Sequence, residues 1–109
     1  MTLAALARLR PFLLAAGDRV WGGDGNHAME GPDHAGSRAG QAAIRQLVAD
    51  AGLVVATRNA PHAIEGLSSI DHIAVPAAWT VTSPRRIDAT AEGRRLSDHD
   101  AYVVEAGPA

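Results

Sequence analysis

Ser69-Ile70-Asp71-His72-Ile73-Ala74-Val75 is where the chain turns from helical to extended patterning. Ile70, Ile73 and Val75 are β-branched, and such side chains pack well on a pleated surface. Residues 79–87 form a second extended stretch. The Pro76-Ala77-Ala78 turn between the two predicts an antiparallel pair. Pro84 assigns the second stretch to an edge or a bulge, because proline cannot donate to a ladder. Asp71 shares a strand face with Ile73 and Val75. A carboxylate there is costly to bury without a partner. Two readings follow: Asp71 holds a histidine in one tautomer, or it is a strand-end aspartate in water. His72 reads equally well as a surface residue.

Upstream the pattern is helical. Thr2 is a candidate N-cap, and Leu3, Leu6, Leu9, Leu13 and Leu14 recur near helical spacing. Pro11 should kink or divide this helix, and Gly17 should stop it. Residues 18–22 suit a short buried strand. Residues 22–40, rich in Gly, Asp, His and Asn, suit a loop carrying a site. A second helix is predicted over residues 37–51, with Ala43, Ile44, Leu47 and Val48 toward the core and Gly52 closing it. Residues 53–56 form another strand, 89–97 a polar loop and 101–105 the last strand. Two helices and about five strands imply an α/β or α+β layer, with one mostly antiparallel sheet.

The bulk numbers bound the function. The chain has 109 residues, enough for one small domain. It is 47% apolar, largely through alanine, so it folds around a thin core. A net charge of −2 gives no general attraction to nucleic acid or an anionic membrane. No basic stripe with interleaved aromatics marks a nucleic-acid-binding patch. The absence of Cys excludes disulfides, thiol catalysis and thiolate-held zinc, and leaves a cytoplasmic location as the default. Arg8 and Arg10 interrupt the apolar N-terminus, so it reads as a helix of the domain and not as a signal peptide. No apolar run reaches the length of a membrane span.

Four polar clusters could carry chemistry: residues 23–27, 59–62, 70–73 and 97–100. Asp24 and Asn26 sit two apart, so on extended backbone both would point the same way. Asp24 could bind a metal or orient water, and Asn26 could donate to a phosphoryl oxygen. The alternative is a turn, which Gly, Asp and Asn also build. In Ser97-Asp98-His99-Asp100, His99 is a candidate general base and Asp98 a candidate metal ligand. A solvated turn is the competing reading. His27, His34 and His62 read as surface or loop-packing histidines. The pairs Arg85-Arg86 and Arg94-Arg95 suit either phosphate contact or a solvated charged edge.

In order, three of these segments resemble motifs of the endonuclease/exonuclease/phosphatase superfamily, the DNase I-like hydrolases. Val20-Trp21-Gly22-Gly23-Asp24-Gly25-Asn26 resembles its Gly-Asp-x-Asn strand end. Ser69-Ile70-Asp71-His72-Ile73 resembles its Ile-Asp-x-Ile strand, and Arg95-Leu96-Ser97-Asp98-His99 its closing Ser-Asp-His motif. The resemblance covers most of the chain and implies the C-terminal half of a four-layer α/β sandwich. It also implies roles. His99 would be the general base or would contact the scissile phosphate, and Asp71 would orient it. Asp24 would position or activate the attacking water, Asn26 would stabilise the transition state, and Asp98 would help hold Mg²⁺ or Mn²⁺.

The chain departs from the pattern at two points. Gly25 stands where the family carries a bulky residue, which should loosen the loop. None of Glu30, Glu65, Glu92 and Glu105 falls in the motif of the main metal-binding glutamate. The expectation is a metal-dependent phosphoester hydrolase in truncated form, with weak or no activity alone. The alternative is a non-catalytic half-domain that binds or self-associates, as a homodimer, through an uncovered sheet face. A third reading is metal binding through histidines without hydrolysis. The class of phosphoester substrate is not written in the residues.

Overall fold

The computed structural model describes residues 2–30 and 36–109. Helix α1 spans Leu3–Leu13, and the Thr2 hydroxyl caps it by accepting from the Ala5 N–H at 3.1 Å. Pro11 neither divides nor ends α1. It lies in the final turn, where only one helical hydrogen bond is lost, and the helix runs two residues further. Strand β1 is Trp21–Asp24, displaced toward the C-terminus from the expected 18–22. Val20 is left outside it and exposed. Helix α2 spans Arg38–Asp50, capped by Ser37, whose hydroxyl accepts from the Gly40 N–H at 3.0 Å. Strand β2 is Leu53–Val55, reached through Gly52 at a φ of 67°, a left-handed angle that glycine adopts without strain.

Strand β3, Asp71–Pro76, is the centre of a three-stranded antiparallel sheet of order β1-β3-β2. This corrects the expected hairpin. The following strand β4, Trp79–Val81, does not pair with β3, because β1 and β2 already occupy both of its edges. The Ala77 N–H donates to Gly52 O at 2.9 Å, so the chain leaves β3 along the α2–β2 turn. The remaining strands are β5 (Arg85–Ile87), β6 (Thr90–Ala91), β7 (Arg94–Arg95), β8 (Ala101–Val103) and β9 (Ala106–Pro108). They pair as three two-stranded ribbons, β4-β9, β5-β8 and β6-β7. Every pairing among the described residues is antiparallel, and the class is α+β. The single sheet expected from the sequence is replaced, among the described residues, by one sheet and three ribbons.

The register sorts the faces of the three-stranded sheet. Trp21 lies opposite Ala74, Val55 opposite the same residue, and Leu53 opposite Pro76. That face packs on α1 and α2 through Leu6, Leu13, Ile44, Leu47 and Val48. Ile44 is fully buried. The side-chain period of two puts Asp24, Asp71 and Ile73 on the opposite face. The site is built there. No helix of the described residues is long and apolar enough to cross a membrane.

Candidate functional site

The β1–β3 register sets Asp24 directly opposite Asp71. Two carboxylates at that spacing repel, so the sheet alone would be destabilised here. His99 resolves the conflict. It arrives from the loop between β7 and β8, and its Nδ1 lies 2.7 Å from Asp71 Oδ2. Its Nε2 lies 3.6 Å from Asp24 Oδ2. The ring therefore stands between both acids, with Nδ1–H donating to Asp71 and Nε2 turned to Asp24. One donor atom from each residue lies within 4.8 Å of the others. The hydrogen bond to Asp71 and the charge of that carboxylate raise the pKa of His99; burial opposes them, and the charges of Asp24 and Asp98 add a little to the rise. The cluster borders an open cleft of about 480 Å³, whose walls include Gly23, Ile73 and Tyr102.

Asp24 is fixed by its own turn. Its Oδ1 accepts the Asn26 N–H at 2.8 Å, and Asn26 takes a left-handed φ of 51°. This corrects the extended geometry in which Asp24 and Asn26 point together. Asn26 is an exposed turn residue that holds Asp24 through its backbone N–H, and it is not among the residues that line the cleft. Asp98 is also outside the cluster. It is exposed and borders a separate groove with His62, Ile64 and Leu96. Ser97 turns the chain between Asp98 and His99 by accepting the His99 N–H at 3.1 Å.

His72 is not a surface residue. It is 2% exposed, beneath the acids on the core side. Its Nε2–H donates to His27 O at 2.6 Å, and its Nδ1 faces the Thr57 hydroxyl at 3.4 Å. Burial lowers its pKa, so it is held neutral. His27 is buried too. It packs the loop by bonding Gly25 O through Nδ1 at 2.7 Å and accepting the Ser37 N–H on Nε2 at 3.0 Å. A Cβ on Gly25 would lie 3.0 Å from His72 Cδ2 and 3.3 Å from Ile70 O. Gly25 is therefore tightly held, contrary to the loosening expected, because the His72 ring fills the space beneath it. His62 builds a turn, its Nδ1 accepting the Ile64 N–H at 3.0 Å. His34 lies outside the described residues.

Asp100, next to His99, is a buried neighbour of the cluster that residue type alone does not single out. Its buried carboxylate accepts from Ala89 N–H, Arg86 and Arg95. The backbone donor, then the two guanidinium groups, hold its pKa below the usual carboxylate range. Arg86 and Arg95 are thus tied to an internal acid, which neither reading of the arginine pairs anticipated. The available signal was the two arginine pairs beside a second acid in Asp98-His99-Asp100. Glu30 pairs with Arg58 at 3.5 Å, and no glutamate joins the cluster among the described residues.

Comparison with protein-family models, with curated proteins and with solved structures finds no match to this chain.

Proposed function

We propose that the chain is a metal-dependent phosphoester hydrolase of the endonuclease/exonuclease/phosphatase type, working through Asp24, Asp71 and His99. The observation that carries the proposal is the alignment Asp71–His99–Asp24, with Nδ1 at 2.7 Å from one acid and Nε2 at 3.6 Å from the other. Motif order in the sequence supports it independently.

Asp71 holds the neutral ring as the Nδ1–H tautomer and so leaves a lone pair on Nε2. Nε2 then takes a proton from a water molecule in the cleft as that water attacks phosphorus. Asp24 Oδ2 faces the same space and orients the water by accepting its second proton in a hydrogen bond. The imidazolium that forms lies between two carboxylates, which stabilise it. The facing carboxylates of Asp24 and Asp71 offer hard oxygen donors that suit a divalent cation such as Mg²⁺ or Mn²⁺. Asp24 and Asp71 would hold it, and when bound it would polarise the phosphoryl oxygens. With no glutamate in the cluster, turnover should be slow. Hydrolysis of bis(p-nitrophenyl) phosphate with Mn²⁺ tests the proposal: slow turnover that His99→Ala abolishes supports it. Turnover indifferent to His99→Ala refutes the site.

A second reading, self-association, is favoured by one surface. The β5–β8 register places Arg85, Ile87, Ala101 and Val103 on one outer face, all exposed. A concentration-dependent dimer by size exclusion, lost in Ile87→Glu, would support this reading. A monomer at all concentrations would dismiss it.

A further inference from the structure

Asp100 follows His99 directly, and its side chain is 0% exposed. Both of its oxygens are used. Oδ1 accepts from the Ala89 N–H at 2.9 Å and from Arg95 Nη1 at 2.8 Å, and Oδ2 accepts from Arg86 Nη1 at 3.0 Å. Arg86 Nη1 also reaches His62 O at 3.3 Å. One carboxylate therefore joins β5, the segment after it, β7 and the loop at residue 62.

His99 needs such an anchor. It lies in the irregular loop of residues 96–100, and its side chain is 36% exposed. Its local restraint is the Ser97 turn, which spans two residues. Yet the ring keeps a 2.7 Å bond to a residue 28 positions away. A bond of that length demands a fixed backbone, because each freely rotating loop residue retains entropy that opposes it.

We infer that Asp100 is a positioning residue: its clamp on Arg86, Arg95 and the Ala89 N–H fixes the 96–100 loop so that His99 Nδ1–H stays on Asp71. Without the carboxylate, two guanidinium groups lose their shared partner and repel one another beside His99. The catalytic meaning of this clamp rests on the hydrolytic reading of His99, whereas its test does not.

The test is the tautomer of neutral His99, read by long-range ¹H–¹⁵N NMR on the full chain at alkaline pH. Wild type should show Nδ1–H at His99 and Nε2–H at His72, the latter serving as a control for folding. Asp100→Asn should shift His99 to the Nε2–H form that imidazole prefers in water, with His72 unchanged. A folded Asp100→Asn variant that keeps Nδ1–H at His99 overturns the inference, and so does a wild type lacking it. If Asp100→Asn does not fold, Arg95→Gln removes one clamp contact from a half-exposed side chain. It should raise the Nε2–H fraction at His99, and an unchanged tautomer there overturns the inference equally. Failure of the hydrolytic reading would instead appear as absent turnover with this tautomer pattern intact.

Discussion

His99 Nδ1 lies 2.7 Å from Asp71 Oδ2, although 28 residues separate them in the chain. The bond places a basic ring against one of two facing carboxylates and points its other nitrogen at the second.

Asp71→Asn should therefore change the pH dependence of phosphodiester hydrolysis. The amide cannot raise the pKa of His99 as the carboxylate does, so the ascending limb of the rate profile should move to lower pH. The maximal rate should also fall, by about 10²-fold, through loss of tautomer control. Initial rates against pH check both, and an unmoved limb contradicts the assignment of Asp71.

Cation binding separates Asp24 from Asp98. Asp24 belongs to the three-residue cluster and Asp98 does not. Asp24→Asn should weaken Mn²⁺ about tenfold or more, roughly 1.4 kcal/mol, whereas Asp98→Ala should change it less. Isothermal titration or the Mn²⁺ resonance signal measures this. A larger loss in Asp98→Ala would return the metal to the ligand expected from the sequence.

Two histidines give stability opposite dependences on pH. The folded pKa of His99 is raised above 6.5, so its contribution is complete below 6.5 and is lost as pH rises through the folded value. The folded pKa of His72 is lowered, so stability is complete above 6.5 and declines as pH falls toward the folded value. Urea midpoints should thus peak between the two folded values. His99→Gln should remove the alkaline decline and leave the acid one. An alkaline decline that survives in His99→Gln contradicts the assignment.

Gly25 should resist enlargement. Its missing Cβ would press on the His72 ring and on Ile70 O. Gly25→Phe should lose about 1–3 kcal/mol by denaturant titration, the usual range for overpacking. His72→Ala in the same chain should recover part of that loss. Full tolerance of Gly25→Phe would mean that His72 does not fill the space.

The parts of the fold readable from sequence were those decided locally. Thr2 and Ser37 cap helices where their side chains reach the third amide beyond them, and Ile44, Leu47 and Val48 face the core at helical spacing. Strand pairing is not local. Ile70, Ile73 and Val75 mark β3 as a strand, yet nothing nearby states that β1 and β2 take both its edges and exclude β4. The site divided along the same line. Asp24, Asp71 and His99 were each identifiable by residue type, and their convergence follows from register. At Asn26 the sequence allows either extended backbone or a turn, and the structure takes the turn, with a left-handed φ of 51°. Asp100 went unnoticed because its partners Arg86 and Arg95 come from separate ribbons.

The most direct test compares wild type with His99→Ala in hydrolysis of bis(p-nitrophenyl) phosphate with Mn²⁺. The expected result is slow but saturable turnover in wild type and a fall of about 10²–10⁴-fold in the variant, the range for removing a general base. Equal rates in the two proteins, or no turnover in either, would contradict the assignment of Asp24, Asp71 and His99 as a hydrolytic site.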